Sequence, residues 1–270
     1  MVMRNALLAM LLGISCGRVS AHDTWVEAGQ LGVRQGEYVY VNLMLGNHGN
    51  QHRDFRLASK ITLAACTLHV FGPDRQAHDL KPAVIDMGSA EKEGFWAARY
   101  QPLTGGVHEV VHLLDTLHGT TRAIKSAKTY FVVDPDASGP TPGSLPSAHD
   151  HGLELLLHTD VMELAAGSEL RLQVLRSGQP VPDARVTFVP RGTELIADFD
   201  RRHERTSDAD GFVSYVPSNG NIYLAIVRAV AAHESGEGFD RTHYSAAIVL
   251  PVPNRKLGIS SDAPVVLCAP

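Results

Sequence analysis

Tyr38-Val39-Tyr40-Val41-Asn42-Leu43-Met44-Leu45 is the stretch on which the fold class turns. In an extended chain Val39, Val41, Leu43 and Leu45 fall on one side, and Tyr38, Tyr40, Asn42 and Met44 on the other. That period of two is the mark of a strand with one face in a core. The same signal spreads outward. β-rich runs cover 61–71, 95–100, 107–114 and 127–133, punctuated by turns such as Gly72-Pro73-Asp74 and Gly105-Gly106. A second series covers 153–157, 169–175, 184–189, 212–216, 221–230 and 244–252. No long segment carries a helical period. Strands without helices between them argue against a parallel α/β sheet and for antiparallel sandwiches. The expected fold is all-β, two immunoglobulin-like β-sandwich domains.

Residues 136–151 divide the two series. The segment from Asp136 to Asp150 holds three prolines, two glycines and three serines, with too little apolar content for a core element. The expected organisation is therefore a first sandwich over 22–135, a linker over 136–151 and a second sandwich over 152–270. Within the second, Thr206-Ser207-Asp208-Ala209-Asp210-Gly211 reads as an acidic turn. It lacks the remaining oxygen ligands of a twelve-residue calcium loop.

The first 21 residues have the pattern of a removable secretory signal. Arg4 precedes a short apolar run over 6–14, and Val19-Ser20-Ala21 suits signal peptidase. The apolar run is too short for a transmembrane helix, which needs about 20 residues. A weaker reading makes Cys16 a lipid-anchored cysteine, but the leucine expected three residues before it is missing. Cleavage after Ala21 would start the mature chain at His22, in the periplasm or outside the cell, without membrane insertion. The full chain carries 24 Lys+Arg against 29 Asp+Glu, a formal charge of −5. Loss of Arg4 and Arg18 makes the mature charge more negative still, which disfavours a nucleic-acid or anionic-membrane partner. Cys66 and Cys268 could pair, but Cys66 sits in an apolar run and reads as a small packed hydrophobe.

Fourteen histidines are the unusual feature of the composition. His22, once exposed as the first residue, would offer an α-amine and an imidazole together, a chelate suited to copper(II) or nickel(II). His48 and His52 lie in a stretch read as a Gly- and Asn-rich loop over 45–55, directly after a strand, where ligands are free to converge. His108 and His112 share a strand face, but four residues of strand span about 13 Å, so both cannot bind one ion. His118, read as lying in the following loop, is the better candidate and His112 the second. The metal-ligand set is thus His22, His48, His52, His112 and His118. His69, His78, His158 and His203 read as ordinary surface or hydrogen-bonded histidines, while His149 and His151 flank Asp150 and could bind metal weakly. Motifs for zinc-peptidase, nucleophilic-serine or phosphate-binding chemistry are missing.

The start His22-Asp23-Thr24-Trp25-Val26-Glu27, the segment Gly46-Asn47-His48-Gly49, the run Ile124-Lys125-Ser126-Ala127-Lys128-Thr129-Tyr130 and the turns of the second half resemble one group. It is an exported family of unknown function, also grouped with NikM-type components of nickel and cobalt uptake. The resemblance covers nearly all of the mature chain. It implies handling of nickel, cobalt or copper outside the cytoplasm, with a membrane metal-uptake component as a partner. This chain has no membrane segments of its own to form a channel. The leading expectation is a non-enzymatic periplasmic metal-capture or delivery protein. The alternatives are an adhesion or scaffold module, and a copper enzyme with an N-terminal histidine brace acting on polysaccharide.

Overall fold

The computed structural model describes residues 22–48, 53–133, 147–196 and 199–257, with side chains at all of these except 47–48 and 53–56. The first half holds β1 (Asp23–Ala28), β2 (Gly32–Val33), β3 (Val39–His48), β4 (Arg53–Leu57), β5 (Cys66–Phe71), β6 (Ala77–Asp79), β7 (Val84–Asp86), β8 (Trp96–Tyr100), β9 (Gly106–His118) and β10 (Thr121–Val133). The second holds β11 (Leu153–Leu157), β12 (Leu170–Arg176), β13 (Gln179–Pro180), β14 (Arg185–Pro190), β15 (Glu204–Thr206), β16 (Phe212–Tyr215), β17 (Asn221–Ala231) and β18 (Arg241–Val252). Among the described residues the helical elements are single 3₁₀ turns, and no helix is long and apolar enough to cross a membrane. The all-β expectation holds.

The strands form three sheets. A first outer sheet runs β1-β3-β8-β7, with β4 also on β3. A second outer sheet runs β11-β12-β13, with β16 also on β12. Between them lies a nine-stranded sheet, β15-β14-β17-β18-β10-β9-β5-β6, with β2 beside β10. Alternation along the central strands feeds two cores. Ala127 and Phe131 of β10, Leu224 and Ile226 of β17, and Ala247 and Val249 of β18 pack toward the first outer sheet. Tyr130 and Val132, Tyr223 and Ala225, and Ala246 and Ile248 pack toward the second. Burial on both faces explains why the middles of β17 and β18 read as almost continuous apolar runs, the habit of strands covered on both sides.

The central sheet crosses the boundary expected between 22–135 and 152–270. β10 and β18 pair in parallel from Thr121↔Arg241 to Thr129↔Val249, joining the last strand of one series to the last of the other. Side chains reinforce the junction. The Thr129 hydroxyl donates to the Val249 carbonyl at 2.8 Å, and the Ser126 hydroxyl to the Leu153 carbonyl at 2.8 Å.

Residues 134–146, which include most of the 136–151 linker, lie outside the described residues, but the linker's end is docked. Lys128 and Glu154 form a buried ion pair at 2.7 Å, and Glu154 also accepts the backbone N–H groups of His149 and His151. Burial alone would raise the Glu154 pKa; Lys128 and these N–H groups outweigh it and bring the carboxyl to about 2. The His149 ring meets buried Glu109 at 3.0 Å, and Glu109 also accepts from Arg75 and from the Tyr130 hydroxyl. A weak metal role for His149 competes with this contact. Gly152 sits at φ +79° beside Tyr244, whose ring carbon would be 2.6 Å from an added Cβ, so chain entry into β11 requires glycine.

Three sequence expectations change in detail. The stretch read as a loop over 45–55 is strand at both described ends, with β3 running through His48 and β4 starting at Arg53 in antiparallel pairing with it. Residues 61–65 form a loop and a 3₁₀ turn rather than strand. His118 closes β9 rather than lying in a loop, because β9 and β10 run thirteen residues each before a Gly119-Thr120 turn. The acidic turn is as expected, with Asp208 Oδ1 accepting the N–H groups of Asp210 and Phe212.

Residues 22–135 produced alone would expose the Tyr130 face and the free edge of β10. That fragment is expected to give a poorly dispersed amide spectrum or to aggregate; a well-dispersed, monomeric fragment would contradict the shared sheet.

Candidate functional site

One end of the layer between the first outer sheet and the central sheet opens into a cavity of about 970 Å³. Its floor is the face of three central strands. Register places Leu114 of β9 beside Lys125 of β10 and Ser245 of β18, Thr116 beside Ala123 and His243, and His118 beside Thr121. The roof is His22 just before β1, Leu45 of β3, Trp96 of β8 and the loop 59–65. The Trp96 indole N–H donates to the Ile61 carbonyl at 2.7 Å and ties that loop over the cavity. Lys60 lies 5.1 Å from the Trp96 ring centre and pairs with Asp86 at 2.6 Å.

Histidines from both sides line this cavity. Exposed His22 and His118 line the same cavity as His243. Burial, with added repulsion from Arg241 and Lys125, lowers the His243 pKa, so its ring is neutral and keeps a lone pair at neutral pH. At the inner end the Lys125 Nζ donates to the His22 carbonyl. Burial lowers the Lys125 pKa, Asp23 opposes that, and Arg228 adds to it. Asp23 is itself bridged to Arg228, which fastens β1 to β17.

The other expected ligands fall differently. His48 ends β3, but its side chain and all of His52 lie outside the described residues. His112 is fully buried and does not line the cavity. Its Nδ1 donates to the Thr67 carbonyl at 2.8 Å, and its Nε2 has no partner among the described residues. It shares its face of β9 with Leu114, Thr116 and His118, but it lies deeper along the strand, between the core residues Val110 and Leu114, beyond the inner end of the cavity. Among the described residues no three of His, Cys, Asp and Glu are grouped to hold one ion. His243 and Lys125 were missed as site residues. Lys125 carried a signal, a cation inside an apolar strand; His243 carried none, because only the β10–β18 pairing brings it to the others. Cys66 is buried, and burial raises its thiol to about 11 despite the Lys81 charge, so it is an unreactive core residue at neutral pH.

Burial, against the Thr67 hydrogen bond, holds the His112 pKa at about 4 rather than 6.5. A histidine neutral in the fold but free to protonate when unfolded contributes stability that is full above its unfolded pKa. That contribution is lost as pH falls from 6.5 toward 4. The loss over this window is expected to approach about 3 kcal/mol. His108, His151, His203 and His243 are lowered in the same direction. Urea melts across this range should show a smaller pH slope for His112→Gln than for the parent; identical slopes would contradict a neutral buried His112.

Among curated proteins no match was found. Solved structures give loose likenesses. A DUF4785 family protein of Legionella pneumophila is 11% identical, TM-score 0.30, covering 75% of this chain and 50% of that one. Salmonella alpha-2-macroglobulin is 14% identical, TM-score 0.26, covering 88% and 15%. The Yersinia pseudotuberculosis adhesin InvE is 15% identical, TM-score 0.21, covering 84% and 58%. The chain thus spans half or less of the first two. A family model, "Domain of unknown function (DUF4198)", matches residues 19–231, and the chain belongs to that family.

Proposed function

We propose that this chain is an exported binding protein that captures a divalent transition metal, nickel, cobalt or copper, in the cavity between its sheets. The observation that carries the reading is that His22 and His118, from opposite walls, and His243 line one cavity. Neutral imidazole is a ligand for all three metals. Cleavage after Ala21 would add the His22 α-amine to the donors at the cavity mouth. His48 and His52 would supply further donors, and His112 would remain a structural residue. The likeness to NikM-type components in the quoted motifs fits such a role, with a membrane uptake component as recipient.

The test starts with intact-mass analysis of exported protein, expected to begin at His22. Calorimetric titration of that form with nickel chloride and copper sulfate then reads affinity. The pair His118→Ala and His243→Ala should weaken binding at least tenfold, as should one extra residue placed ahead of His22, which turns the amine into an amide. Unchanged affinity in both proteins would overturn the cavity as the metal site.

A further inference from the structure

The cavity is larger and more cationic than capture of a bare ion calls for. Six waters around a hydrated ion occupy roughly 180 Å³ at about 30 Å³ each, against a cavity of about 970 Å³. Three lysines line it, Lys60, Lys92 and Lys125, against two carboxylates, Asp86 and Glu91. Lys60 and Asp86 neutralise each other at 2.6 Å. Lys125 is the exception within the wall. Its ammonium is buried, its hydrogen bond goes to a backbone carbonyl, and Asp23, whose charge favours it, is bridged to Arg228. Lys125 stands one row from His243 across the β10–β18 pairing, about 8 Å between Cα atoms by strand geometry. A bare dication brought to His243 would be repelled by Lys125. Leu45, Leu63 and Leu114 add apolar wall that an aqua ion cannot use.

We propose that the cargo enters as an anionic complex of the metal with a small organic polycarboxylate. The chelator's carboxylates meet Lys125 and Lys92, its carbon skeleton lies on the leucine wall, and the histidines complete the metal's coordination. This rests on the metal reading above, with the chelator bringing donors of its own to the metal.

The experiment is calorimetry of the chain beginning at His22 with three probes: nickel chloride, equimolar nickel citrate, and citrate alone. Nickel citrate is expected to bind at least tenfold more tightly than nickel chloride. Lys125→Met should erase that advantage, and Lys92→Glu, on the exposed rim, should reduce it without touching the core. Nickel chloride binding as tightly as nickel citrate, or more tightly, would overturn the chelate proposal and leave metal capture standing. Citrate alone binding as tightly as nickel citrate would overturn metal capture and make the cavity an anion site. No binding of any probe would overturn both.

Discussion

Thr121 to Thr129 of β10 run parallel beside Arg241 to Val249 of β18, and nearly everything else follows from that contact. It merges strands from both halves into one central sheet and forces each central strand to bury both faces. Such strands have no solvent side on which to place polar residues, so Ala246 to Leu250 are apolar throughout. It also builds the cavity floor, since Ala123 of one half lies directly beside His243 of the other. Without it Lys125 and His243 would belong to separate bodies.

Burying both faces carries an electrostatic cost where charges remain. Lys128 and Glu154 meet across the junction with almost no solvent contact. Replacing two buried charges by apolar groups can be neutral, but removing one strands the other. The pair is therefore a better lock on register than a source of net stability. Glu109, Arg75, Tyr130 and His149 extend it to the docked end of the linker. At β1 the same logic holds. Asp23 and Glu27 are buried because Arg228 and Arg191 reach them from strands of the second half or their ends.

The strands of the cores were legible in the sequence because period-two alternation and turn residues are local signals. β1 was not, since Asp23-Thr24-Trp25-Val26-Glu27-Ala28 mixes charge and apolar residues, and its burial depends on distant arginines. The ends of β9 and β10 looked like loop because Asp115, Thr116, His118 and Thr121 are polar, yet Thr116, His118 and Thr121 face a cavity. His22 and His118 were named from the sequence for separate reasons, and the fold brings them to one cavity. His112 was named for its neighbours in sequence; it shares a face with His118 but lies further along β9, inside the core. His243 could not be found, because a pairing partner more than a hundred residues away leaves no mark on the residues around it.

The shared central sheet is the central claim, and native-state hydrogen exchange in increasing denaturant tests it most directly. Amides of 123–129 and of 244–249 are expected to lose protection together, with one opening free energy and one denaturant slope. Two sets with distinct slopes, one half opening while the other stays closed, would mean that β10 and β18 belong to independent units and that the cavity floor has no common frame.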